Sequence, residues 1–188
     1  MKVVASHIPI ERLRDQLDEV IAFEKELGNQ YIVCPYAVYE TANEWIQFAK
    51  ELGHINSKVE DAGLTLVYHN HDKEFMELDG GYVLDLIFDN VAKTEIDVYW
   101  AEFSDVNPVM YLQKYKDKTP LIHVKDMAES RLESTEIGNG ILDIAGIVNQ
   151  ARINNAEWLI VEQEAFTRPP LDSVKICLKN LKELMKYD

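Results

Sequence analysis

One pattern limits what this chain can fold into more than any other. Short runs rich in β-branched and aliphatic residues recur six times, each followed by a stretch whose apolar residues repeat at helical spacing. Strands are expected at 3–8, 31–35, 64–69, 95–100, 120–125 and 157–162. The intervening helices are expected at 11–27, at 41–62 with Trp45, Phe48, Ala49, Leu52, Ile55 and Val59 on one face, and near 82–89. Three more are expected after the Asn107-Pro108 start signal, from an Asp143 cap through 154, and over 171–185. Runs such as Thr65-Leu66-Val67 and Trp158-Leu159-Ile160-Val161 have no polar face, as parallel strands covered by helices on both sides require.

Consecutive strand-helix units fold as a doubly wound sheet or as a (β/α) barrel. No glycine-rich phosphate loop follows the first strand, which argues against a dinucleotide fold and for the barrel. A complete barrel has eight strands in typically about 250 residues. The 188 residues here therefore predict one domain, 1–188, that is a partial (β/α) TIM barrel short of two units. With 47% hydrophobic and 28% charged residues the chain is ordinary globular material. Its net charge of -14 opposes binding to nucleic acid or to an anionic membrane surface. No apolar run approaches the roughly 20 residues of a membrane span, no secretory signal is recognisable, and a cytoplasmic protein is expected. Cys34 and Cys177 form no metal or redox motif and read as buried thiols.

Polar residues cluster where the apolar runs end. The third strand runs into Tyr68-His69-Asn70-His71-Asp72-Lys73-Glu74, the fourth contains Asp97 before Tyr99 and Trp100, the fifth ends His123-Val124-Lys125-Asp126, and the sixth ends Glu162-Gln163-Glu164. Barrel enzymes place their sites at the C-terminal ends of their strands. Period-2 alternation puts His69 with His71, and His123 with Lys125, on shared faces. Four successive strand ends bearing His, Asp, His and Glu would repel and resist burial without a compensating cation, and mixed imidazole and carboxylate donors suit Mn, Co, Zn or Mg. His7, at the end of the first strand, is placed either to reach a substrate hydroxyl or to hydrogen-bond in the barrel mouth. Tyr99 and Trp100 are placed to stack on a sugar ring or to pack. Trp45 and Trp158 read as core, His54 as surface, and Ile137-Gly138-Asn139-Gly140 as a turn or a site-lining loop.

Several motifs together resemble the sugar phosphate isomerase/epimerase family of xylose isomerase-like TIM barrels. They are Ala5-Ser6-His7, Ala62-Gly63-Leu64 leading to Tyr68-His69-Asn70-His71-Asp72 and Glu74-Phe75, Ile96-Asp97-Val98-Tyr99-Trp100, Leu121-Ile122-His123-Val124-Lys125-Asp126, and Ile160-Val161-Glu162-Gln163-Glu164. The resemblance implies a divalent metal held by Asp97, His123 and Glu162. Glu74 is the first choice for the remaining ligand, with His69 and His71 as alternates, because many relatives carry Glu where this chain has His69. It also implies a substrate-contacting Lys125, an acid/base role for Glu162 with Glu74 or a nearby histidine such as His69, and substrate contacts from His7, Asn70, His71, Tyr99 and Trp100.

The activity so implied is isomerisation or 3-epimerisation of a free or phosphorylated sugar, or of a cyclitol, through a cis-enediolate. The alternatives are an inosose dehydratase-like or 3-keto-glycoside lyase on the same metal, and a non-catalytic metal- or sugar-binding fragment. Family members begin with two further strand-helix units before the Ser-His strand. The expectation is a truncated reading frame or a barrel completed by a partner chain, with edge strands 3–8 and 157–162 open for pairing and a homodimer as the result.

Overall fold

The computed structural model describes residues 2–186. The chain divides into two compact units, one ending at Glu95 and the other beginning at Ile96.

In the first unit, β1 (Ala5–His7) is followed by α1 (Ile10–Asp15) and α2 (Leu17–Leu27), then β2 (Tyr31–Cys34), α3 (Ala42–Asp61) and β3 (Thr65–His69). A 3-10 turn at Lys73–Phe75 and a two-residue hairpin, β4 (Glu77–Leu78) with β5 (Gly81–Tyr82), precede α4 (Val83–Asn90), and β6 (Lys93–Asp97) runs across the boundary. The strands are parallel: Ala5 stands opposite Tyr31, Tyr31 opposite Thr65, and Val67 opposite Lys93. The expected 11–27 helix is two helices separated at Gln16, whose φ of -137° leaves the helical region. No glycine or proline marks that break in the sequence. Gly28 ends α2 as anticipated, in the left-handed region at φ 73°, with its N–H donated to Lys25 O.

Helix α3 begins where the sequence says it should. Thr41 accepts a hydrogen bond from Glu44 N while the Glu44 side chain accepts from Thr41 N, so two otherwise unsatisfied donors are paired reciprocally. Its apolar stripe, with Trp45, Phe48, Ala49, Leu52 and Val59 all buried, packs on β3 and α4. Trp45, Phe48 and Tyr68 meet edge-to-face with ring centres 5.9 Å apart at each step, a geometry that aromatic quadrupoles favour.

The second unit continues from the end of β6 into α5 (Val98–Phe103), α6 (Pro108–Lys114), β7 (Leu121–Val124), a short β8–β9 hairpin (Asp126–Met127 with Ser134–Thr135), α7 (Ile144–Ile153), β10 (Trp158–Val161) and α8 (Pro170–Leu184). β10 runs parallel to β7 with Trp158 opposite Leu121 and Ile160 opposite His123. Asn107 and Asp143 cap α6 and α7 through Met110 N and Gly146 N, as their positions predict.

Two further expectations are corrected. The strand expected over 95–100 stops at Asp97, because the Asp97 carboxylate accepts from Tyr99 N and Trp100 N and so starts a helix there. Trp158, expected in the core, is half-buried along with the rest of β10. Within its unit that strand pairs with β7. Trp45, His54, Cys34 and Cys177 lie as expected, the first and the two thiols buried and His54 exposed. Among the described residues no helix is long and apolar enough to cross a membrane.

Candidate active site

Three elements of the second unit aim ligating groups at one point. Asp97, the last residue of β6, is fully buried; its Oδ1 accepts from Tyr99 N at 2.8 Å and Trp100 N at 3.1 Å. His123 is the third residue of β7. Glu162 follows β10, and its N–H extends the parallel ladder by donating to Val124 O at 3.2 Å. That bond sets the Glu162 carboxylate beside His123, whose Nδ1 is hydrogen-bonded to Glu162 Oε2. One ligand atom from each of Asp97, His123 and Glu162 lies within 4.8 Å of the others.

Burial, and next to it the Glu162 charge, push the Asp97 carboxyl up to about 7 against the opposing pull of Lys125 and His123. Two carboxylates and an imidazole crowded in this way are a donor set that a divalent cation would satisfy. An imidazole whose Nδ1 is held by a carboxylate has its ring fixed, as ligating histidines usually do. The residues present therefore fit the metal.

Lys125 completes the group. Strand alternation puts it on the same side as His123, and it is fully buried, with Nζ bonded to Glu164 and 3.9 Å from Glu162 Oε1. Its ammonium lies 4.7 Å from the Tyr99 ring centre and 5.0 Å from that of Trp100. Tyr99 and Trp100, expected at the end of a strand, sit on the first turn of α5, where the Asp97 cap directs them to Lys125.

Asp126, next along, anchors the glycine loop. Its Oδ2 accepts from Gly138 N at 2.8 Å and Gly140 N at 3.0 Å, and its Oδ1 from Met127 N at 2.8 Å and Leu142 N at 3.3 Å. A Cβ on Gly140 would fall well inside contact distance of Met127 O and Asp126 Oδ1, so only glycine fits there.

The remaining expected residues lie in the first unit. Glu74, the first choice for the remaining metal ligand, belongs to neither group of ligand atoms that could share an ion. Its buried carboxylate accepts from Tyr68 Oη at 2.6 Å and from His71 N at 3.0 Å, and burial pushes its pKa up. The structure thus makes Glu74 a clamp on the turn after β3. Asn70 is buried, and the His71 ring meets Tyr36 edge-on at 5.6 Å. His69 and His7 are brought together with Glu95. His7 Nε2 is 2.8 Å and His69 Nδ1 3.4 Å from Glu95 Oε2.

Glu95, Asp126 and the Lys125–Glu164 pair are functional candidates that sequence reasoning passed over. A glutamate inside an otherwise buried strand, two residues before Asp97, was the available signal for the first. For Asp126 the signal was an acidic residue followed by a glycine pair 12 and 14 positions on.

A family model described as xylose isomerase-like TIM barrel matches residues 5–184, across both units. The chain belongs to that family. Among curated proteins it is similar to the inosose dehydratase of Clostridium beijerinckii, 25% identical over 154 residues that make up 70% of this chain and 51% of that protein. The chain spans about half the length of the curated relatives it matches. Among solved structures it resembles a sugar phosphate isomerase/epimerase from Parabacteroides distasonis with a TM-score of 0.81 at 21% identity, covering 99% of this chain and 73% of that one. It also resembles the 3-keto-D-glucoside 4-epimerase of E. coli, TM-score 0.72 at 15% identity, covering 97% and 80%. These likenesses establish the TIM-barrel fold, of which the described residues carry six strand-helix units where a complete barrel has eight.

Proposed function

We propose that this chain carries the site of a divalent-metal-dependent sugar isomerase or epimerase that moves a proton on a carbon next to a carbonyl. The observation that carries this reading is the convergence of Asp97, His123 and Glu162 within 4.8 Å beside a fully buried Lys125. Asp97, His123 and Glu162 would hold the cation, and Mn, Zn, Co or Mg would supply Lewis acidity toward adjacent substrate oxygens.

This chain's own groups do the rest. Glu162 Oε1, on the side of the carboxylate facing Lys125, takes the proton from carbon. Lys125 Nζ donates to the oxygen on which negative charge builds, and the Tyr99 and Trp100 faces keep water from that ammonium, which strengthens its interaction. Glu164 holds Nζ in place. Epimerisation returns the proton to the opposite face of the same carbon, whereas isomerisation delivers it to the former carbonyl carbon while the hydroxyl proton passes to the former carbonyl oxygen. A free or phosphorylated sugar or a cyclitol is the substrate class.

A second reading has its own support: the curated relatives are inosose dehydratases, so the same deprotonation followed by loss of a β-hydroxyl is the lyase alternative. The test is in two parts. Metal content by mass spectrometry is expected to show a divalent ion that Asp97→Asn and His123→Ala both lose. Incubation of ketoses, keto-inositols and 3-keto-glucosides in deuterium oxide is expected to label the carbon next to the carbonyl in wild type and not in Glu162→Gln. Label without dehydration supports isomerase or epimerase, and loss of water supports the lyase. Unchanged metal content in both variants, or label that survives in Glu162→Gln, overturns the assignment.

A further inference from the structure

Helix α8 is apolar over more of its surface than its own unit covers. Ser173, Cys177 and Leu181 form its buried side. Leu171, Val174, Leu178 and Met185 recur at helical spacing along the adjacent side and are exposed, Leu171 by 76%. A narrow stripe of this kind is a seam on which another helix packs. It borders a cavity of about 360 Å³ between α7, β10 and α8, walled by Val148 and Ala151, by Leu159 and Val161, and by Leu178 and Met185.

The charges beside the stripe are positive. Lys182 lines the cavity, and Lys175 lies seven residues earlier, two turns back on the same side of the helix. The Lys175 ammonium is 3.0 Å from Asp172, but both side chains are more than half exposed, and such a surface pair contributes little and exchanges easily. In a protein of net charge -14 this basic edge is a local exception.

We propose that the groove between α7 and α8 takes helix α2 of a second copy of this chain, with Phe23 as the anchor. Helix α2 buries Leu17, Val20 and Glu24 in its own unit, while Phe23 and Leu27, one turn apart, are exposed, Phe23 by 54%. Among the described residues no other helix outside α8 exposes two large apolar side chains. An amphipathic helix enters an apolar groove through anchors spaced in this way, and aromatic anchors in pockets carry most of the binding energy.

The charges match as well. Glu19 and Glu26 are exposed on the Phe23 side of α2 and are seven residues apart, as Lys175 and Lys182 are on α8. At 1.5 Å per residue each pair spans about 10.5 Å, so two carboxylates meet two ammoniums when Phe23 enters the cavity. The same net charge of -14 opposes an anionic membrane as the occupant. Because the α2 face and the α8 groove are different surfaces, the contact is head-to-tail.

The test is sedimentation velocity of the full chain over a range of concentrations, at low and high salt. The wild type is expected to associate as concentration rises and to dissociate as salt screens the Lys and Glu contacts. Phe23→Ser should weaken association by about tenfold or more. The double variant Lys175→Glu with Lys182→Glu, and the double variant Glu19→Lys with Glu26→Lys, should each stay monomeric because like charges then face each other. Mixed in equal amounts, the two double variants should associate again, since each offers the charge that the other lacks. All five substituted residues are exposed, and circular dichroism checks that each variant is folded.

A wild type that is monomeric at every concentration overturns the proposal. So does association unchanged in Phe23→Ser, or a mixture of the two double variants that remains monomeric. A monomer that instead binds phosphatidylglycerol vesicles through Lys175 and Lys182 gives this face to a membrane, and that result overturns it too.

Discussion

Replacing Asp126 with asparagine asks how much one buried carboxylate contributes to the loop that closes over β8. The side chain is fully buried, and its two oxygens accept four backbone N–H groups, two each. Asparagine keeps one acceptor oxygen and turns the other into an NH2 donor facing two N–H donors. At least two charge-assisted bonds are lost, each worth about 1.5 to 3 kcal/mol, so a destabilisation of at least about 3 kcal/mol follows. For a chain of this length that corresponds to a Tm lowered by roughly 6 to 12 °C, at about 2 to 4 °C per kcal/mol.

Thermal unfolding by circular dichroism measures the shift, and hydrogen exchange locates it. The Met127, Gly138, Gly140 and Leu142 amides should be protected in wild type, and in Asp126→Asn whichever pair faces the new NH2 group should exchange fast. Gly140→Ala attacks the same clamp from the other side, since its new Cβ would collide with Asp126 Oδ1 and Met127 O. The double variant should therefore lose clearly less than the two single losses added together, as groups sharing one interaction do. A Tm within about 2 °C of wild type for Asp126→Asn, with all four amides still protected, would refute the reasoning.

Other perturbations separate stability from chemistry. Lys125→Met should leave unfolding within about 2 kcal/mol of wild type, because an apolar side chain of similar length replaces a buried ion-paired one and Glu164 rehydrates at its half-exposed position. The same variant should slow carbon-proton exchange by about 100-fold or more, and wild-type exchange would remove Lys125 from the chemistry. Thr41→Ala breaks the cap of α3 and should cost about 1 kcal/mol in urea unfolding; no change would mean that the reciprocal Thr41–Glu44 bonds are not formed in solution. Burial pushes the Cys34 thiol up to about 12 and raises Cys177 as well, so neither should react quickly with an aromatic disulfide reagent at pH 8 until denaturant is added. Rapid stoichiometric labelling of the native protein would contradict that burial.

Much of the architecture could be read along the chain because its causes are local. A parallel strand covered on both faces must be an unbroken apolar run, and a helix covering it must show an apolar stripe, so all six strand-helix units were visible. Thr41, Asn107 and Asp143 start helices by bonds to residues three positions ahead, and that spacing is written in the sequence. The ends of the strands were equally plain as places where His, Asp, Lys and Glu interrupt apolar runs, and the Asp97, His123, Lys125 and Glu162 cluster follows from them.

Other features were fixed only by tertiary contacts. Whether Asp97 continues a strand or caps a helix depends on where its carboxylate turns, and it turned toward Tyr99 and Trp100. The half-burial of Trp158 follows from the place of β10 in the sheet, which an apolar sequence does not reveal. Glu74 is a candidate ligand by composition, and only the fold shows that Tyr68 Oη and His71 N donate to its carboxylate. Glu95 looked like the opening of a strand until the curved sheet brought His7 from three strands away. Sequence determines which groups each strand end offers; curvature and register decide which of them meet, because a ligand set depends on distances of a few ångströms between residues up to 88 positions apart.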